Sequence, residues 1–253
     1  MASTKTTHHI PPDRTLMEDI GATSFTLAEA VVELVANSID ATNQTSAHDR
    51  GALLATERGT IAHLVAESMY WSDSWNPDAP NFVANLVSKA RAQFPQRHAS
   101  AIEQVVRDTI KQLNSPEIKS MLAKPAPEAV VFNERKFVRL FPDGGVQEGI
   151  IDRVELIAAT SPNHSAQSGQ SSQSTKWHSA RIIDFKTDSF NAATQTLQQW
   201  KQERAQHHAP QLSAYARVIA EEHSIALENI SLHLVLLHAN TTVQTQFLPT
   251  PTD

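Results

Sequence analysis

The chain has 253 residues, 40% of them hydrophobic, enough for one large domain or two small ones around a sizeable core. It has no cysteine, which excludes disulfides, thiolate zinc sites, iron–sulfur clusters and a cysteine nucleophile, so any metal is held by carboxylate, imidazole or carbonyl groups. A formal net charge of −6 excludes a strong overall pull onto a phosphate backbone and leaves only a local basic groove for such contact.

Residues 1–14 read as a polar tail closed by Pro11-Pro12, without the apolar core of a signal peptide. No stretch approaches the ~18 uninterrupted apolar residues of a membrane span, so a cytoplasmic protein without a membrane partner is expected. Leu27, Val31, Leu34 and Val35 share one stripe and predict a helix over 26–41. A second helix is expected from Arg58 to Tyr70, with Ile61, Leu64, Val65 and Met69 on its apolar face. Helical spacing returns from Val83 to Leu113 with a break near Pro95.

From Ala129 the pattern becomes extended. VVFNERKFVRLF and GIIDRVELIA flank the turn signal Pro142-Asp143-Gly144-Gly145 and predict a hairpin. Residues 158–179 are rich in Ser, Gln and Thr and read as a loop joining two adjacent strands, the second being ARIIDFKTD over 180–188. A helix is expected to start near Pro210 and run through QLSAYARVIAEEH, with SLHLVLLH as the last strand. The predicted class is α/β, a central mixed sheet flanked by helices with a helical N-terminal region. The expected division is a tail and helix over 1–45, a main domain over 46–245 and a tail over 246–253.

On the strand 149–157 the alternation places Ile150, Asp152, Val154 and Leu156 on one face; on 180–188 it groups Ile182, Asp184 and Lys186. Asp184 and Lys186 then stand about 6.5–7 Å apart along the strand. A carboxylate or ammonium on an apolar face calls for a compensating ion or partner. A magnesium ion suits two aspartates and a backbone carbonyl, leaving positions for water and a phosphate oxygen, and Lys186 beside it can offset developing charge. The plainer accounts are an Asp184–Lys186 ion pair and pairing of Asp152 with Arg153 or Arg181. Arg135, Lys136, Arg139, Lys176 and Arg181 are basic residues in reach of a phosphate or simply a solvated face.

Five ordered segments, RGTIAH (58–63), NERKF (133–137), EGIIDRV (148–154), IIDFKTD (182–188) and QLSAY (211–215), resemble the PD-(D/E)XK nucleases, specifically the nuclease domain of the RecB and AddA helicase–nucleases. The resemblance implies a restriction-endonuclease-like core and hydrolysis of phosphodiester bonds in DNA, as an exonuclease of the RecB type, with Mg2+ as cofactor and Mn2+ able to substitute. It further implies His63, Asp152, Asp184 and the Phe185 carbonyl as metal ligands, Lys186 as the catalytic lysine, and Glu134, Gln211 and Tyr215 as further site residues. DNA with single-stranded character is the implied substrate, in repair, recombination or defence. The sequence has no GxxxxGK[ST] phosphate loop, so a helicase would be a separate partner.

LAEAVVELVANSIDA (27–41) also resembles the first motif of the ATPases related to gyrase, heat-shock protein 90 and histidine kinases, through Glu33, Asn37, Asp40 and Ala41. None of the seven glycines builds the rest of such a nucleotide site. Besides a nuclease, the sequence therefore leaves a nucleic-acid-binding module with a vestigial site and an ATP-binding switch as readings.

Overall fold

The computed structural model describes residues 52–140, 144–158 and 176–249. The helix expected over 26–41, with Glu33, Asn37 and Asp40, lies outside the described residues, as do 159–175 of the Ser/Gln-rich loop and the end of the C-terminal tail.

Four helices precede the sheet: α1 (Ala55–Glu67), α2 (Phe82–Gln93), α3 (Ala99–Leu113) and α4 (Pro116–Met121). At the start of α1 the Glu57 carboxylate accepts the Leu54 N–H at 2.8 Å and also pairs with Arg97 at 2.9 Å, fixing the helix entry to the α2–α3 turn. The break around Pro95 is where the sequence puts it. In α3, Ile102, Val105, Val106, Thr109 and Leu113 are buried, the spacing of one helical face. The short α4, which the sequence reading did not separate, starts on Pro116 at its first turn.

The sheet has the order β1-β2-β3-β4-β5, with β1 (Val130–Leu140), β2 (Val146–Ala158), β3 (Trp177–Lys186), β4 (Ile230–Leu236) and β5 (Thr241–Thr245). All neighbours are antiparallel except β3 and β4, so the sheet is mixed, as expected. The parallel step is made by α5 (Leu197–His223), which crosses one face. Two expectations need correction. The helix does not start near Pro210: Thr196 caps it, its side chain accepting from Gln199 N–H, and Pro210 sits in the interior. The last strand is not 231–238 but β5, a short polar edge strand beyond it.

Helices cover both faces. On one side Ile61, Val65, Ile102, Leu113 and Ile118 pack on Ile183, Phe185 and Val235. On the other, Trp200, Leu212, Tyr215 and Ile219 pack on Val154, Leu156, Ile182, Leu232 and Leu234. Ile182 and Ile183, adjacent on the central strand, thus feed opposite cores, which is why β3 reads as an unbroken apolar run. Each such fully buried side chain contributes about 1.5–3 kcal/mol of transfer free energy.

Strict alternation fails in the hairpin. Ile150 is 44% exposed instead of sharing a core face with Val154 and Leu156, while Ile151 packs into the α5-side core together with Val154, three positions on. The parity switches at Asp152, opposite which Glu134 has a φ of 50° and drops out of the register between Asn133↔Arg153 and Arg135↔Ile151. A left-handed residue turns the pleat as a bulge does. At Gly149 a Cβ would lie 2.8 Å from the Phe137 ring, so this glycine lets Phe137 fold back over the hairpin. No helix among the described residues is long and apolar enough to cross a membrane.

Candidate metal centre

Three elements converge where the parity switches. The helix α1 buries Ile61, Ala62, Val65 and Ala66, which leaves His63 half-exposed at the edge of its packed face, toward the sheet. The hairpin brings Glu134 and Asp152, and β3 brings Asp184, Phe185 and Lys186. Donor atoms of His63, Glu134 and Asp152 all lie within 4.8 Å of one another. His63 Nδ1 stands 3.5 Å from Asp152 Oδ2, and the same oxygen accepts the Phe185 N–H at 2.8 Å. Asp152 therefore ties the helix to the central strand instead of pairing with Arg153 or Arg181.

Asp184 is 2% exposed, deeper than Asp152, and stands outside the closest trio. Its Oδ2 lies 3.0 Å from Lys186 Nζ, and this ion pair is its compensation among the described residues. Burial pushes the Asp184 carboxyl up to about 6, with Lys186 opposing and Asp152 adding to the rise. For Lys186 burial works against the charge, but Asp184 outweighs it and the ammonium is held above its ordinary value. Glu134 is raised by burial and then by the negative charge of Asp152. His63 is raised as well: burial lowers it, and the hydrogen bond and charge of Asp152, with Asp184 and Glu134 behind, overcome that. Acid groups that raise one another's pKa are held together against their own repulsion.

Phe185 contributes through its backbone N–H, while its ring packs in the α1-side core edge-on to His63 at 6.5 Å. Gln211 and Tyr215, at i and i+4 on α5, are joined by Gln211 Nε2 donating to Tyr215 Oη at 2.8 Å. Burial and the nearby Asp184 push the phenol up to about 12, so it stays protonated. The ring packs edge-on against Phe137 at 5.8 Å. Of the basic residues, Arg135 and Arg139 pair with Glu222 and Glu221 at the end of α5, and Arg181 with Glu155. Lys136 and Lys176 are exposed.

Sequence reasoning missed two groups. His208, one turn before Gln211 on α5, is buried, neither ring nitrogen makes a well-formed hydrogen bond, and burial followed by the charge of Lys186 holds it down to about 3. Its spacing of three from Gln211 was the available signal. Arg153 and Glu155 form a fully buried pair, Nε donating to Oε1 at 2.7 Å. Their charged pattern in an apolar strand is visible in the sequence, but the other acceptors of Arg153, the Met69 and Tyr70 carbonyls just beyond α1, are not.

The trio fits a divalent cation: two carboxylates and one imidazole, with a buried carboxylate and a lysine beside them. Among known proteins, no family model matches the chain, and no curated protein aligns with it.

Proposed function

We propose that this chain is a metal-dependent nuclease that hydrolyses phosphodiester bonds in DNA, of the RecB and AddA type within the PD-(D/E)XK nucleases. One observation carries the reading: His63 from a helix, Glu134 and Asp152 from a hairpin meet within 4.8 Å, a step away from the Asp184–Lys186 pair on the central strand. Ion pairs that only stabilise are built from opposite charges, whereas two carboxylates and an imidazole gathered at one point suit a cation.

His63, Asp152 and Asp184 would hold the ion, with Glu134 alongside and the Phe185 carbonyl as a backbone ligand; Mg2+ is the natural choice and Mn2+ a substitute. Such an ion supplies Lewis acidity toward a phosphate oxygen and activates water for the attack. The protein's own contribution is positioning. Asp184 keeps Lys186 charged and aimed at the site, where an ammonium offsets charge developing on the phosphate. The protonated Tyr215, oriented by Gln211, has a hydroxyl hydrogen left for a phosphate or water oxygen. DNA of single-stranded character, a separate helicase partner and a place in repair, recombination or defence belong to the same proposal.

Incubation of the purified protein with single- and double-stranded DNA and Mg2+ tests it. The expected outcome is cleavage that falls by about 10³-fold in Asp184→Ala and Lys186→Ala with the fold retained. Equal cleavage by both variants removes the assignment, and salt-sensitive DNA binding without cleavage under any divalent metal replaces it with a binding module.

A further inference from the structure

The two carboxylates of the trio have neighbours that do something the trio itself cannot. Asn133 precedes Glu134, Arg153 follows Asp152, and the two stand opposite each other in the β1–β2 register. Both turn toward the end of α1, the helix that carries His63. Asn133 Nδ2 donates to the Glu67 carbonyl at 2.8 Å and to the Met69 carbonyl at 2.9 Å. Arg153 Nη1 donates to the Met69 carbonyl at 2.8 Å and to Asn133 Oδ1 at 3.2 Å, and Nη2 donates to the Tyr70 carbonyl at 2.5 Å. The guanidinium lies 5.1 Å from the Trp71 ring centroid and is itself held by the buried Glu155.

A helix leaves its last carbonyls without partners inside the helix, and a cation is favoured there. Asn133 takes one of them, the Glu67 carbonyl, and with Arg153 also takes the Met69 and Tyr70 carbonyls of the segment that leaves the helix, so the helix end and the hairpin cannot shift past each other without breaking the set. The left-handed φ of 50° at Glu134, costly for a residue with a Cβ, sits directly beside Asn133. The neighbouring bonds over-determine it.

We propose that Asn133 and Arg153 are positioning residues: they clamp the C-terminal end of α1 to the hairpin so that His63 meets Glu134 and Asp152 in one ligand set. This rests on the metal-centre reading above, but its test separates the two. Asn133→Ala is the primary variant, because it leaves the buried Arg153–Glu155 pair intact; Arg153→Lys, which keeps the charge and loses the fork, is the second. Ile230→Val, a core change at the start of β4, paired with Ala180 at the far end of β3 from Asp184 and Lys186, is the control for stability alone.

Two readouts are taken on the full chain: Mn2+ affinity by titration of free Mn2+ in electron paramagnetic resonance, and the His63 imidazole resonances in the metal-free protein. The expected result is about a tenfold loss of Mn2+ affinity in Asn133→Ala, the size of effect that outer partners of metal ligands exert, with displaced His63 resonances. The control should show neither. Unchanged His63 resonances in Asn133→Ala overturn the clamp, as does an equal loss of affinity in Ile230→Val. Should the unaltered protein bind no Mn2+, the metal reading falls alone, and the His63 resonances still decide the clamp.

Discussion

Two buried charge clusters grow from adjacent residues of one strand and are built on opposite principles. In the first, Glu155 is fully buried and its two oxygens are claimed by Arg153 and Arg181, whose remaining donors reach the carbonyls of Met69, Tyr70 and Ala123. In the second, around Asp152, two further carboxylates and an imidazole crowd together, and the Asp184 carboxyl sits up at about 6. One cluster is saturated within the chain. The other holds three carboxylates, met among the described residues by Lys186, the Phe185 N–H and His63. Saturation marks a structural network, whereas the gathered carboxylates are what the proposed cation would complete.

The largest expected effect breaks the saturated cluster. Glu155→Ala leaves Arg153 buried without its carboxylate, and removing one partner of a buried pair typically costs about 3–5 kcal/mol. Urea denaturation of the variant should show a loss of that size. A loss below ~1 kcal/mol would mean that the carbonyls alone satisfy the guanidinium, and the contrast between the clusters would weaken accordingly.

How much of this was legible in the sequence follows from the same contrast. Asp152, Asp184 and Lys186 stood out because carboxylates and an ammonium interrupt apolar strands, and β3, the hairpin and the apolar stripe of α1 carry strong periodic signals. Local signals failed where tertiary partners decide. Pro210 looks like a helix start, yet the capping pair Thr196 and Gln199 begins α5 well before it, and the long helix absorbs an interior proline. The strand β5, TTVQT, has no apolar alternation to reveal it. Neither the left-handed Glu134 nor the parity switch it brings is written in residue types, so the face assigned to Ile150 was wrong while that of Asp184 with Ile182 was right. The recipients of Arg153's donors are backbone carbonyls, which no side-chain pattern announces.

A smaller effect of opposite sign is expected in the unsaturated cluster. Because the folded pKa of Asp184 is raised above the unfolded value, the folded state binds the extra proton between about 4 and 6, and ionisation there costs stability as pH rises through that window. Asp184→Asn removes this term. Without divalent metal the variant should gain on the unaltered protein as pH rises from about 4 to above 6 and then level off, by on the order of 3 kcal/mol, the attraction to Lys186 being already part of the raised value. His208 and His233, held down to about 3 and about 4 by burial, contribute the reverse slope, stability growing with pH, but they are common to both proteins and cancel in the difference. A variant less stable than the parent at pH 7 would place Asp184 with the structural ion pairs.

The smallest effect asks to which cluster Tyr215 belongs. Its hydroxyl accepts from Gln211 and keeps its own proton, since burial and Asp184 push the phenol up to about 12. Were the bond to Gln211 its whole purpose, Tyr215→Phe would lose about 1 kcal/mol of stability and leave cleavage unchanged. The free hydroxyl hydrogen beside the gathered carboxylates argues otherwise: kcat/KM should fall by about tenfold, the worth of one hydrogen bond made to the reacting phosphate, with the packing against Phe137 preserved. Comparing the loss in kcat/KM with the loss in unfolding free energy for this single variant decides the matter, because only a contact with substrate makes the first exceed the second.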